Sequence, residues 1–134
     1  MIMKKITVGE VKALLESGKK VKIKTIKNEY APITQFVEKG ILDTYVVTLE
    51  NAFKIKVSLA HKFFTNVGWE TTKNLIPNKT AIFCEDGQYY LVKSVDYIGK
   101  CRIVDVTVDH PDHCYFGNGM LVLTETGEAT PRVA

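Results

Sequence analysis

The residue types best suited to chemistry lie in two parts of the chain. Ser58 and His61 are separated by two residues and follow an alternating apolar segment, while Asp105 lies in a run of β-branched residues upstream of His113. Histidine exchanges protons near neutral pH, and a carboxyl group that is buried has a raised pKa, so each type can act as an acid or a base. A serine hydroxyl can orient a carbonyl group. We interpret these residues as candidates for proton transfer during the rearrangement of an acyl group.

The composition restricts the class of protein. The chain has 134 residues, of which 46% are hydrophobic and 25% charged, which is sufficient for one domain with a core. The net charge of +3 and the interleaving of lysines with apolar residues argue against nucleic-acid binding. No apolar run approaches the ~20 residues of a membrane span, and we find no signal peptide. The three widely spaced cysteines predict free thiols in a reducing compartment, so the expected location is the cytoplasm.

Periodicity predicts one helix followed by many strands. Thr7 and Glu10 form a capping box, Leu14 and Leu15 continue an apolar face, and Gly18 is suited to the helix end. From there the period becomes two, which is typical of strands. The predicted strands are residues 21–23, 32–37, 44–49, 53–57, 81–84, 88–94 and 97–108, the last interrupted at Gly99 and Lys100. We therefore expect an all-β domain over residues 1–124 with one short peripheral helix. Residues 125–134 are either a flexible tail or the start of a downstream segment.

Two blocks resemble the conserved blocks of inteins. Residues 103–124, IVDVTVDHPDHCYFGNGMLVLT, are similar to the C-terminal splicing block, with an Asp in a strand, a His-aromatic step, a Gly-bearing turn and an apolar strand. Ser58-Leu59-Ala60-His61, followed by Phe63-Phe64 and Gly68-Trp69, is similar to the B block. The resemblance covers most of residues 7–124 in the expected order. It implies a horseshoe-like Hint fold and autocatalytic protein splicing.

The resemblance also implies roles and partners. Ser58 and His61 would serve the first acyl shift, and Asp105 and His113 the later steps. Inteins begin with a nucleophilic Cys or Ser, whereas this chain begins Met-Ile-Met-Lys, so it resembles the C-terminal fragment of an atypically split intein that lacks the first strand. The implied partners are a short N-terminal intein fragment that carries the nucleophile and the flanking extein polypeptides, without nucleic acid or membrane. Such an element needs no cofactor and acts once, unlike a multiple-turnover enzyme.

The C-terminal junction departs from the family pattern. Inteins end in His-Asn before a Cys, Ser or Thr acceptor, whereas Leu123, Thr124 and Glu125 occupy these positions here. Leucine cannot transfer a proton, threonine has no side-chain amide for cyclisation, and glutamate is no acyl acceptor. Reading Thr124 as the acceptor would put Leu123 in place of the asparagine. We therefore expect final C-terminal cleavage to be disabled, either in an altered chain or in a natural degenerate copy.

Two other functions fit the sequence. A non-catalytic β-domain could capture an extended peptide at an open sheet edge. A metal-binding β-domain could use His110, His113 and Cys114, although these residues lack a second Cys or His pair at finger-like spacing. Cys114 lacks the local signature of a catalytic nucleophile, so we expect a small buried or loop residue there. We expect Phe63, Phe64 and Trp69 to lie in the core.

Overall fold

The computed structural model describes residues 8–26 and 29–123, which form an all-β domain with one α-helix, as predicted. Helix α1 spans Val8–Glu16, and a 3₁₀ turn spans Thr72–Asn74. The strands are β1 Lys22–Lys24, β2 Tyr30–Leu49, β3 Lys54–Val57, β4 Lys62–Thr65, β5 Gly68–Thr71, β6 Ala81–Phe83, β7 Tyr89–Val108, β8 Cys114–Gly117 and β9 Met120–Leu123. No helix in this part of the chain is long and apolar enough to cross a membrane.

Helix α1 ends as the sequence predicts. The backbone N–H of Gly18 donates to the carbonyl of Leu15, and that of Lys19 donates to the carbonyl of Leu14, both at 3.0 Å. These bonds satisfy carbonyls of the last turn. Leu14 and Leu15 pack against the main core, so the helix covers one side of the sheet. Thr7, the predicted capping residue, lies outside the described residues.

The two longest strands, β2 and β7, are each 20 residues long and pair antiparallel from Ile33 and Val108 to Leu49 and Val92. The sequence prediction was wrong in dividing each of them into two shorter strands. The pairing continues through β-bulges next to Gly40 (φ +94°) and Gly99 (φ +101°). A bulge bends a strand without ending it, and these bends curve the ribbon.

The sheet curls so that its two ends meet. Its strands follow the order β1, β2, β7, β6, β4, β9 and β8, with β3 pairing with β2 and β5 with β4. Strands β1 and β8 stand at opposite ends of this path and are in contact. Curvature of this kind brings residues from distant parts of the sequence to one region.

The core lies inside this curl. Phe63, Val47, Leu49 and Val122 are completely buried, so Phe63 is a core residue as the sequence indicates. Phe64 is half-buried and packs against a second cluster around Cys114, Phe116 and Leu121. Trp69 is 37% exposed, so its prediction as a core residue was wrong. Strand β5 pairs only with β4 among the described strands, which leaves the Trp69 ring at the edge.

We predict that Gly119→Ala destabilises the fold more than Gly87→Ala. Both glycines have positive φ, +85° and +84°, so an added side chain is strained equally at the two positions. A Cβ at Gly119 would overlap the Phe53 ring, whereas nothing lies within 4 Å of a Cβ at Gly87. Overpacking should lower the free energy of unfolding of the Gly119 variant by about 1–3 kcal/mol more than that of the Gly87 variant. Urea denaturation of both variants measures the difference, and equal midpoints would contradict it.

Candidate functional site

The turn from Ser58 to His61 connects β3 to β4 and is held at both ends. The N–H of His61 donates to the carbonyl of Ser58 at 3.2 Å. The carbonyl of His61 accepts both the N–H and the hydroxyl of Thr72, at 2.8 and 2.9 Å. The N–H of Lys73 donates to the carbonyl of Leu59 at 3.2 Å. The 3₁₀ turn therefore fixes the backbone of the predicted catalytic histidine, which limits how far its ring can move.

The imidazole of His61 is enclosed. Its ring meets the edge of the Phe63 ring, with 5.1 Å between centroids and 69° between planes. Burial and, to a smaller extent, the positive charge of Lys39 together lower the pKa of His61 to about 4. The ring is therefore neutral at pH 7. Within residues 8–26 and 29–123, its buried Nε2 has no hydrogen-bond partner. A buried nitrogen of this kind is costly unless it acts on a reacting group.

Asp105 lies in β7 and is 8% exposed. Its Oδ1 accepts the N–H of Val106 and the hydroxyl of Tyr115, both at 2.7 Å. Across the ribbon it faces Val37 of β2. The carboxyl group is thus inside the domain, and strong donors hold it there.

Strand β9 brings the two parts of the site together. Val122 faces Phe63 of β4 on one side and Tyr115 of β8 on the other. His61 and His113 come two residues before these partners, so they precede the two strands that flank the end of β9. Asp105 joins the same region through its bond to Tyr115. His61 and His113 therefore precede strands on opposite sides of β9, and Asp105 is linked to β8 by Tyr115, although His61 is distant from the other two in sequence.

His113 and His110 have different surroundings. His113 is exposed, has φ +52°, and lines an open cleft of about 410 Å³ with Thr34, Thr107, Val108, Asp109, His110 and Pro111. His110 has both ring nitrogens engaged: Nδ1 accepts the N–H of Asp112 at 3.1 Å, and Nε2 contacts Glu29 Oε1 at 2.8 Å. Because Nδ1 accepts, the proton lies on Nε2 and is donated to Glu29. His110 ties the chain after β7 to the β1–β2 connection, a structural task that leaves His113 as the accessible imidazole.

Cys84 and Cys114 are not suited to nucleophilic attack or metal binding as they stand. Cys84 and Cys114 are almost completely buried, and burial raises the pKa of their thiols to about 12 and about 11. The alternative of a metal site at His110, His113 and Cys114 gains no support, since the described part of the chain contains no group of three potential ligands. Cys114 occupies the small buried position that the sequence allowed.

Two residues of the site are absent from the sequence predictions. Thr72 anchors the His61 carbonyl, and Tyr115 bonds Asp105. The sequence offers one signal for Tyr115, because it is a tyrosine within an apolar run. A buried hydroxyl requires a hydrogen-bond partner, so this residue predicts a polar contact inside the domain. Thr72 gave no comparable signal in its polar segment. Leu123 is half-buried at the end of β9, while Thr124 and Glu125, the other residues predicted to form an altered junction, lie outside the described residues.

Comparisons with solved structures find inteins. The crystal structure of the VidaL intein, as its selenomethionine variant, matches with 26% identity and a TM-score of 0.82 over 92% of this chain and 85% of that chain. A DnaB intein from Synechocystis sp. PCC 6803 matches at 22% identity and TM-score 0.76, over 91% and 88% of the two chains. The gp41-1 intein matches at 15% and 0.66, over 77% and 93%. No protein-family model and no curated protein sequence matches the chain.

Proposed function

Because this chain has the Hint fold of the inteins, we propose that it is the larger, C-terminal part of a split intein and supports protein splicing in trans. Residues 1–124 form the Hint domain in this proposal, and residues 125–134 are flanking sequence. The observation that carries the proposal is that His61 and His113 come directly before β4 and β8, the two strands that flank the end of β9. Both junctions of a splicing reaction must meet at such a point, because the acyl group passes from one to the other.

The partner is a short N-terminal intein segment that begins with Cys or Ser. Two structural features support this partner. The described thiols Cys84 and Cys114 are buried with raised pKa values, so neither is ready to attack a peptide bond. Strands β3 and β5 lie off the closed path of the described sheet and each have one hydrogen-bonded neighbour there, so a further strand can be added at such an edge by main-chain pairing. The three cysteines are free, which suits a reducing compartment such as the cytoplasm.

The first step is an acyl shift at the N-terminal junction. The partner's nucleophile attacks the preceding carbonyl carbon, the C–N bond breaks, and a thioester or ester forms. Ser58 orients the carbonyl, and neutral His61 accepts the proton of the attacking thiol or hydroxyl and delivers it to the amide nitrogen as its bond to carbon breaks. Asp105 and His113 serve the later transfer to the second junction. There Leu123, Thr124 and Glu125 supply neither the asparagine amide nor an acceptor nucleophile, so the reaction stops after the first step.

The test restores the second junction. The chain with Leu123→His, Thr124→Asn and Glu125→Cys is mixed with Cys-initiated N-terminal intein segments that carry a tag, and masses are followed over time. We expect the tag to be joined to the residues after position 124, with release of the excised intein. A matched chain with Leu123→His and Glu125→Cys that keeps Thr124 should accumulate the branched intermediate without completing excision, because it lacks the cyclising amide.

The unaltered chain should give only cleavage of the N-terminal segment when a thiol is added. If a segment binds but neither ligation nor thiol-dependent cleavage occurs in any of these chains, the splicing proposal fails. The domain would then be a β-domain that captures an extended peptide without chemistry.

A further inference from the structure

Tyr115 connects the apolar core to the carboxyl group of Asp105. It is 8% exposed, faces Val122 across the β8–β9 hairpin, and belongs to the same core cluster as Phe63. Its hydroxyl extends from this cluster to Asp105 Oδ1, 2.7 Å away. An aromatic ring alone would fill the core position equally well, so the hydroxyl contributes a polar contact that packing does not require.

Two donors to Asp105 end on the same carboxylate oxygen. The N–H of Val106 and the hydroxyl of Tyr115 reach Oδ1, each at 2.7 Å. Two donors that approach one oxygen from different elements fix the plane of the carboxyl group, and the direction of Oδ2 is fixed with it. Because Val106 belongs to the same strand as Asp105, only Tyr115 of this pair ties the carboxyl group to the strands at the junction.

We propose that Tyr115 is a positioning residue for Asp105: its hydroxyl holds the orientation of the carboxyl group and favours its carboxylate form during the later splicing steps. This inference rests on the proposed function. Tyr115 comes two residues after His113 in the chain, so the hydroxyl that orients the carboxylate lies in β8 and the accessible imidazole lies directly before that strand. The strand thereby sets the relation between the two groups assigned to the later steps.

The other charged side chains near Asp105 on β2 and β7 lie on the surface. Glu38 pairs with Val104, and Arg102 lies two residues before Val104 on β7 and forms a two-bond ion pair with Glu38 on the surface. Lys39 lies in the bulge beside Glu38. On β8, Tyr115 is the titratable side chain directed at Asp105. Removal of its hydroxyl leaves these surface charges in place, so the resulting change reports on the Tyr115 bond.

Tyr115→Phe tests the inference in two measurements. Carbon-13 NMR titration of the Asp105 carboxyl group in the otherwise unaltered chain should show its midpoint raised by about one to two pH units, since a donor to the charged form is lost. In the junction-restored chain, the pH–rate profile of branched-intermediate formation should move upward by a similar amount. Tyr97→Phe is the matched control: it removes a surface tyrosine bond to Asp43 of 2.9 Å and should move neither quantity.

The outcomes separate this inference from the function on which it rests. The positioning role is overturned if Tyr115→Phe leaves the titration midpoint of Asp105 unchanged. It is also overturned if the midpoint rises but the pH–rate profile of a splicing chain does not move. If the titration midpoint of Asp105 is raised but the chains do not react at all, the splicing function is overturned. The bond between Tyr115 and Asp105 then has no role in catalysis. A lower rate with an unmoved profile would mark Tyr115 as a packing residue and would also overturn the inference.

Discussion

Replacement of His61 by alanine is expected to slow thiol-dependent cleavage at the N-terminal junction by about 10²–10⁴-fold, the usual contribution of a positioned acid or base. The neutral imidazole is enclosed beside Phe63, and Thr72 holds the backbone of His61. The nitrogen that transfers the proton is therefore held in one position. Mass spectrometry of the unaltered chain mixed with a Cys-initiated N-terminal segment and excess thiol measures the rate.

The matched control for this prediction is His110→Ala. It also removes an imidazole, but one that is bonded to Glu29 and Asp112 rather than held unpaired. Its cleavage rate should stay within a few-fold of the parent rate. Circular dichroism must show that both variants are folded under the conditions used. A folded His61→Ala chain whose rate falls less than tenfold would remove His61 from the first acyl shift.

The second large effect is on stability in mild acid. The folded-state pKa of His61 is about 4, while an unfolded histidine titrates near about 6.5. The unfolded chain therefore binds more protons between these values, so the contribution of His61 to stability is present above pH 6.5 and lost as the pH falls toward 4. The total loss should be about 3 kcal/mol, of which about 2 kcal/mol falls between pH 7 and pH 5.

Urea denaturation at pH values between 5 and 7 measures this loss. The interval excludes the exposed carboxylates with lowered pKa values, Glu38, Asp43 and Asp86, because their contributions disappear only below about pH 4.5. His61→Gln, which cannot be protonated, should lose about 2 kcal/mol less than the parent over the same interval. Equal pH dependence in the two chains would show that His61 is not the group responsible.

Much of the architecture is predictable because the strands have alternating apolar patterns and the two blocks have family-like spacing. The lengths of β2 and β7 were not predictable, because a glycine such as Gly40 or Gly99 marks equally well a strand end or a bulge inside a continuous strand. Trp69 was misplaced for a related reason: a strand pattern does not tell whether its strand lies at an edge or in the centre.

The site was predictable only in part. His61 and Asp105 belong to local patterns that can be read along the chain, and the structure buries the carboxyl group of Asp105. The bond between Tyr115 and Asp105 joins two different strands, and Thr72 reaches His61 from a separate turn. Contacts of this kind depend on the closed sheet, which no local periodicity specifies.

The continuous pairing of β2 with β7 has a consequence for the order of folding. In this ribbon Leu49 and Val92 are the partners closest in sequence, and Ile33 and Val108 the most distant. The entropy cost of closing a loop grows with the separation in sequence. We therefore expect pairing to begin at Leu49 and Val92 and to extend toward Ile33 and Val108. Asp105 lies near the end that closes last. The carboxyl group of Asp105 would then reach its folded position only after most of the ribbon has formed.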